Sequence, residues 1–255
     1  FKVKKNGEKT KTVGGFARMK TLIDEKRKED PELLLLDGGD FSMGTLYQTI
    51  NRTEAAELTM MGRLGYDAVT FGNHEFDYRS SGLSEMLISA VKNKEEDASL
   101  TLPMLLSANI DWEKNKDQED QKLREAMELY GAKPYTILER NGVKIGIYGV
   151  LGQEAEDFAP ESGIDFDPIV DTSKKIVKEL KDQGAEMIIC LSHSGTNEDS
   201  SKSEDEELAR KVPDIDVIIS GHTHTKLKDY IKEGNTYIVS VSYTHLRAHE
   251  TRHDL

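Results

Sequence analysis

Four short segments combine glycine with side chains that can bind a metal ion or move a proton. They are Gly38-Gly39-Asp40, GNHEFD at 72–77, LSHSG at 191–195 and GHTHT at 221–225. Their carboxylate, amide and imidazole groups suit Mn²⁺, Fe, Zn²⁺ or Co²⁺. Glycine beside each group allows the backbone to approach a bound ion closely. The segments therefore predict one divalent-cation site built from several loops.

Each residue also has an ordinary structural interpretation when it is taken alone. Asp40 has the residue type of a turn or helix cap, and Asn73 with His74 could close a tight turn. His193 could be a hydrogen-bonded histidine at the end of a strand. His222 and His224 would point to the same side of an extended chain and could form a surface pair. The ordered recurrence of four such segments favours a shared site over four unrelated coincidences.

The elements that must position these segments follow from the hydrophobic pattern. Apolar runs that predict strands buried on both faces occupy 33–36, 67–71, 103–110, 143–151, 186–191 and 216–219. Helical stretches separate them; Thr53 is predicted to cap the helix through Met61, and Ser203 with Glu206 has capping-box spacing. This alternation predicts a layered α/β domain. In such folds ligands gather at the carboxyl ends of strands, where the four segments lie.

Composition narrows the classes of function. The chain has 255 residues and a formal net charge of -13, which argues against binding to a nucleic-acid polymer or an anionic membrane. No apolar run approaches the ~18 residues of a membrane span. Cys190 is the single cysteine and lies in an apolar run, as a buried structural thiol does. A small phosphorylated substrate remains compatible with this charge, because bound cations can reverse the local sign.

The order GGD, GNHEFD, LSHSG and GHTHT resembles the calcineurin-like metallophosphoesterases, and more closely their 5'-nucleotidase branch, over about 14–241. The resemblance implies a four-layer αββα sandwich and two divalent metal ions, which could be Mn, Zn, Fe or Co. It implies that Asp40 bridges both metals, that Asn73, His193 and His222 complete one site, and that His224 belongs to the other. By the same resemblance His74 stabilises the transition state or protonates the leaving oxygen, and Asp77 orients His74.

The activity implied by this resemblance is hydrolysis of phosphate esters by metal-activated hydroxide. Nucleoside 5'-monophosphates or related nucleotides are the implied substrates; cyclic nucleotides and nucleotide sugars are not separated from them. The resemblance also implies an exported protein, extracellular, cell-surface or periplasmic. A non-catalytic metal-binding or nucleotide-binding module is the alternative.

One departure from the family pattern concerns the beginning of the chain. The family carries an Asp-x-His motif at the end of its first strand, and none precedes Gly14 here. We therefore expect residues 1–241 to form a catalytic domain incomplete at its N-terminus, without its first strand and with one metal site short of ligands. The C-terminal nucleotide-binding domain of this branch is also expected to be absent. Little turnover is expected from the chain as given.

The last residues, 242–255, break the pattern of the rest of the sequence. They are polar, carry three histidines and resemble a translated sequencing-adapter read-through, so we interpret them as a foreign tail. His249-Glu250-Thr251-Arg252-His253 matches the H-E-x-x-H zinc-protease signature. Because the segment has no apolar helix face and no third ligand downstream, the match is not taken as a protease site.

Overall fold

The computed structural model describes residues 14–43 and 48–240, together with the backbone of 2–3 and 11–12. The segment 242–255, with its H-E-x-x-H match, lies outside the described residues. No described helix combines the length and apolar character needed to cross a membrane.

The first half of the chain forms two small sheets. Strands β1 (Lys2–Val3) and β2 (Lys11–Thr12) pair antiparallel. Strands β3 (Leu36–Asp37), β4 (Ala68–Val69) and β5 (Met104–Leu105) form a parallel sheet in that order. Among the described strands none pairs with the outer edge of β3. Each of these three parallel strands overlaps a predicted apolar run, which confirms the predicted strands, although each strand is shorter than its run.

The second half forms a six-stranded sheet. Its strands are β6 (Tyr135–Arg140), β7 (Val143–Leu151), β8 (Met187–His193), β9 (Val217–Ser220), β10 (Ile231–Glu233) and β11 (Thr236–Ser240). Their order is β10-β11-β9-β8-β7-β6, with β7, β8, β9 and β11 parallel and the two edge strands antiparallel to their neighbours. Parallel central strands buried on both faces explain the continuous apolar sequences of β7 and β8.

Helices cover the outer faces of the sheets. They are α1 (Phe16–Glu29), α2 (Gln48–Glu54), α3 (Ala56–Leu64), α4 (Arg79–Glu96), α5 (Gln118–Tyr130), α6 (Gln153–Asp157), α7 (Ile169–Asp182) and α8 (Glu204–Lys211). A 3-10 turn spans Asn73–Phe76. In α7 the side chains of Ile176, Val177 and Leu180 are buried along one stripe, as the period of a helix requires.

Three apolar clusters define the layers. One lies between the two larger sheets and joins Ala68 and Leu106 to Ile147 and Ile189. A second packs helices α3, α4 and α5 against the three-stranded sheet, and a third packs α7 and α8 against the six-stranded sheet. Helix, sheet, sheet and helix therefore follow one another, which confirms the predicted four-layer αββα sandwich.

Candidate metal centre

The carboxyl ends of strands from both larger sheets meet at one edge of the sandwich. Asp40 follows β3, the 3-10 turn follows β4, His193 is the last residue of β8, and His222 comes two residues after β9. The fold therefore brings together loops that lie far apart in the sequence; 155 residues separate Gly38 from His193, for example, and the two are in contact.

Four of the predicted ligands are linked by short contacts. The amide oxygen of Asn73 lies 3.1 Å from His193 Nε2 and 3.0 Å from His222 Nδ1. Asp40 Oδ2 lies 3.2 Å from the same Nε2 of His193. The rings of His193 and His222 have centroids 5.3 Å apart. Asp40, Asn73, His193 and His222 therefore converge on a single point.

This donor set fits a divalent cation. His193 Nδ1 lies 2.6 Å from the carbonyl oxygen of Gly38, which fixes the ring so that Nε2 faces Asp40 and Asn73. Metal-binding histidines commonly use their second nitrogen in this way. In the described part of the chain no three or more His, Cys, Asp and Glu side chains make a metal site by themselves. The candidate centre depends on the amide oxygen of Asn73, which joins the carboxylate to both imidazoles.

Burial and neighbouring charges shift the pKa values of the clustered side chains. Burial raises the pKa of Asp40, but the charge of His193 and its hydrogen bond outweigh burial and hold that pKa well below its ordinary range. Burial lowers the pKa of His193, and Asp40 with the Gly38 carbonyl reverses this, so that the pKa is raised. Burial, followed by repulsion from His193, lowers the pKa of His222 to about 4. Without a metal, Asp40 and His193 thus favour each other's charged forms, whereas the ring of His222 favours its neutral form.

The backbone at three predicted ligands adopts left-handed conformations. Asp40, His222 and His224 have φ values of 63°, 68° and 53°, which side chains other than glycine rarely adopt. Such strain persists where the surrounding structure enforces it, and it concentrates at functional sites. The chain turns after Ser220, so His222 and His224 do not lie along an extended strand. The interpretation of these two histidines as a surface pair requires such a strand. His224 is exposed, and its charge is close enough to lower the pKa of His222.

His74 and Asp77 form a pair beside the cluster. His74 Nδ1 lies 3.0 Å from Asp77 Oδ1 and 3.1 Å from Oδ2. The hydrogen bond with Asp77 raises the pKa of His74. The backbone N–H of His74 donates to Asp40 Oδ1 at 3.0 Å, and Gln48 Nε2 donates to Asp77 Oδ2 at 2.9 Å. These hydrogen bonds hold His74 to Asp40, a candidate ligand, and Asp77 to helix α2.

Glu75 is a residue of this site that the sequence did not single out. Its buried carboxylate accepts N–H groups from Gly72 at 2.6 Å, Asp40 at 2.9 Å and Ser42 at 2.9 Å. Burial and the charge of Asp40 raise the pKa of Glu75, while the N–H groups of Gly72 and Ser42 oppose the rise. The sequence signal that could have identified Glu75 was its position inside GNHEFD. Every other polar residue of that segment had been assigned a role. Glu75 joins two of the ligand-bearing loops.

Two glycines make the close packing of these loops possible. A Cβ on Gly39 would stand 2.6 Å from His193 Nδ1 and 2.7 Å from the nitrogen of Gly72. A Cβ on Gly221 would stand 2.6 Å from the oxygen of Gly38 and 2.8 Å from His193 Nδ1. Any side chain at either position would displace the ring of His193 or the loop around it.

Comparison with known proteins places this chain in a family. The family model for calcineurin-like phosphoesterase matches residues 12–226. The trifunctional nucleotide phosphoesterase protein YfkN of Bacillus subtilis (strain 168) is 36% identical over 222 residues, covering 82% of this chain and 15% of that protein. The 5'-nucleotidase of Rattus norvegicus is 36% identical over 220 residues, covering 84% of this chain and 33% of that protein.

A solved structure agrees with these relatives. The 5'-nucleotidase precursor from Thermus thermophilus superimposes with a TM-score of 0.71 and 27% identity, over 94% of this chain and 45% of that chain. The chain thus spans a third or less of the length of the two curated relatives named above. With a family model that covers most of its length, the chain belongs to the calcineurin-like phosphoesterases, with relatives among the 5'-nucleotidases.

Proposed function

We propose that this chain carries the catalytic centre of a metal-dependent hydrolase of phosphate esters, with nucleoside 5'-monophosphates or related nucleotides as substrates. The convergence of Asp40, Asn73, His193 and His222 beside the His74–Asp77 pair is the observation that supports this best. The relatives named as 5'-nucleotidases support the substrate class. Residues 1–241 are proposed as the catalytic domain, of which the family model matches 12–226.

The proposed ligands divide between two cation positions. Asp40, Asn73, His193 and His222 would hold one divalent ion, Mn, Zn, Fe or Co, and Asp40 with His224 would contribute to a second. Two such ions, when bound, would supply activation of a water molecule and neutralisation of the phosphoryl oxygens during in-line displacement. The lowered pKa of Asp40 keeps its carboxylate ionised, and the lowered pKa of His222 keeps its ring nitrogen free to bind metal at neutral pH.

His74 is proposed to move the proton. Asp77 holds its Nδ1 and raises its pKa, which favours the protonated ring near neutral pH. The other nitrogen, Nε2, can then hydrogen-bond a phosphoryl oxygen or give its proton to the leaving oxygen of the ester. Gln48 holds Asp77, the partner of this ring, and the Asp40 carboxylate accepts the backbone N–H of His74.

A non-catalytic metal-binding or nucleotide-binding module explains fewer of these contacts. Metal binding alone has no use for a histidine whose pKa is raised by its own carboxylate next to the cation position. The pair is partly accessible, with 26% of the His74 side chain exposed, as proton exchange with a bound substrate requires.

Calorimetric titration with Mn²⁺ tests the proposal on the chain as given. We expect one tight Mn²⁺ site in the full chain and loss of that site in His222→Ala. Binding that persists in His222→Ala but disappears when residues 242–255 are removed would contradict the proposal, because the tail histidines would then be the ligands.

Turnover by this chain is proposed to be low. The second cation position would draw on Asp40 and His224, fewer donors than the first position has. Release of phosphate from adenosine 5'-monophosphate at saturating Mn²⁺ measures this, and robust turnover would refute it. We further propose, on the family resemblance alone, that the protein acts outside the cytoplasm.

A further inference from the structure

We infer that Asp205 is a positioning residue, which holds His193 in place through Ser192 at the end of β8 and thereby sets its spacing from His222, which follows the neighbouring strand β9. Asp205 is the second residue of α8, and its side chain is completely buried (0% exposed). Its backbone N–H donates to the carbonyl oxygen of Gly195 at 3.2 Å, so α8 begins directly against the loop that leaves β8.

The carboxylate of Asp205 is hydrogen-bonded to the end of β8. Ser192 Oγ donates to Asp205 Oδ1 at 2.5 Å, and the hydroxyls of Ser192 and Ser194 lie 2.5 Å apart. Ser192 and Ser194 flank His193 in the sequence. Since side chains alternate along β8, Ser192 points toward α8 while His193 points to the opposite face, where the metal centre lies.

The end of β9 is coupled to this contact through the sheet. Ser192 and Ser220 are register partners on the neighbouring parallel strands β8 and β9. Asp205 Oδ2 and Ser220 Oγ are both buried, and neither makes a hydrogen bond with a described residue. Ser192 lies one residue before His193 and Ser220 two residues before His222. Asp205 therefore holds β8 directly, through Ser192, and reaches β9 through the pairing of the two strands.

A carboxylate at this buried position costs free energy, which argues that Asp205 has a specific role. Burial is the main cause that raises the pKa of Asp205, to about 7. The neighbours of Asp205 on α8, Leu208 and Ala209, are buried in the apolar cluster that packs against this sheet, so the hydroxyl of Ser192 is the hydrogen-bond partner that offsets the burial of its carboxylate. Buried polar groups that are nevertheless kept can serve to select one arrangement among several.

The test compares Asp205→Asn and Asp205→Ala with the full wild-type chain. Glu57→Gln is the matched control, because Glu57 is also a buried helical carboxylate but lies on α3, in the helical layer on the other side of the sandwich. Two quantities are measured for each variant. The first is the Mn²⁺ affinity, measured by calorimetry, and its interpretation rests on the proposed function. The second is the set of ring ¹⁵N chemical shifts of His193 and His222 without metal, and its interpretation is independent of the proposed function.

We expect Asp205→Ala to weaken Mn²⁺ binding about 10-fold, as residues behind metal ligands typically do, and to move the ring ¹⁵N signals of both histidines. Asp205→Asn, which keeps the shape and one acceptor, should recover most of the affinity, and Glu57→Gln should change neither quantity. The inference is overturned if Asp205→Ala and Asp205→Asn leave both ring signals in place. If the wild-type chain binds no Mn²⁺, the proposed function fails, and the ring signals alone decide the role of Asp205.

Discussion

The carboxylate of Glu75 holds the two loops after β3 and β4 together. Its Oε2 accepts from Gly72 and Asp40, and its Oε1 accepts from Ser42. In Glu75→Gln, either orientation of the amide turns an NH₂ group toward a backbone N–H. We therefore expect a loss of about 1–3 kcal/mol in the free energy of unfolding, the cost of leaving a buried donor without an acceptor.

Urea unfolding of the metal-free chain measures this loss. Glu85→Gln is the control, because Glu85 is an exposed partner of Arg52 at 2.6 Å and such surface pairs contribute at most about 1 kcal/mol. Equal free energies of unfolding for the two variants would show that Glu75 does not join the loops.

How far single residues could be predicted depends on their chemistry. Asp40, Asn73, His193 and His222 were accessible to sequence reasoning because ligand-type side chains beside glycine stand out, and the structure brings these four together. Asp205 carried no such signal, since a carboxylate in the first turn of a helix is ordinary. Its partner Ser192 pairs with Ser220 on the next strand, and the sequence does not state this register.

At the scale of elements, the loop after β3 depends on a glycine with left-handed backbone. In Gly39→Ala the residue would have to keep a φ of 96° while its Cβ met His193 and Gly72. Gly163→Ala is the matched control, since Gly163 also has a positive φ, 71°, but nothing stands within 4 Å of its Cβ position. The two substitutions thus share the backbone strain and differ in the crowding.

We expect Gly163→Ala to cost about 1–2 kcal/mol of stability, the usual penalty for a left-handed alanine, and to leave Mn²⁺ affinity unchanged. Gly39→Ala should cost more and should weaken Mn²⁺ binding by at least about 10-fold, because the displaced ring is that of a proposed ligand. Urea unfolding and calorimetry on both variants check this. Unchanged Mn²⁺ affinity in Gly39→Ala would mean that the loop tolerates a wider separation from His193.

Of the two helix starts predicted from capping residues, one is confirmed and one is wrong. Ser203 caps α8 as predicted, and its hydroxyl accepts the N–H of Glu206 at 3.3 Å. Thr53 was predicted to start the helix through Met61, and this was wrong. Thr53 lies inside α2, and Ala55, with a left-handed φ of 42°, separates α2 from α3. A cap residue is recognisable from its neighbours, whereas a break at alanine is imposed by packing, with Ala55 fully buried.

For the whole molecule, the layered architecture could be predicted because parallel strands buried on both faces leave long apolar runs. Strands β6, β10 and β11 are less completely buried, leave weaker patterns and were not among the predicted strands. The division of the strands between two sheets was also not readable from the sequence alone, since it depends on contacts between distant segments such as Leu36 with Ala68. The resemblance to a family supplied that arrangement.

The stability of the whole chain should depend on pH through its buried carboxyl groups, and Asp205 makes this measurable. Its pKa in the folded chain is about 7, against 3.8 for an ordinary aspartate. Between these values the folded chain keeps a proton that the unfolded chain has released, so the stability contributed by Asp205 falls as the pH rises. From about pH 5 to about pH 7 the loss should be roughly 2 kcal/mol.

Asp205→Asn cannot lose this proton, so its free energy of unfolding should fall by roughly 2 kcal/mol less than that of the wild-type chain over the same interval. Asp37, whose pKa burial raises to about 6, is present in both chains, and the comparison removes its contribution. Urea unfolding of both metal-free chains at the two pH values gives the difference. Parallel pH dependence in wild type and Asp205→Asn would mean that Asp205 ionises normally, and hence that water reaches it behind β8 and β9.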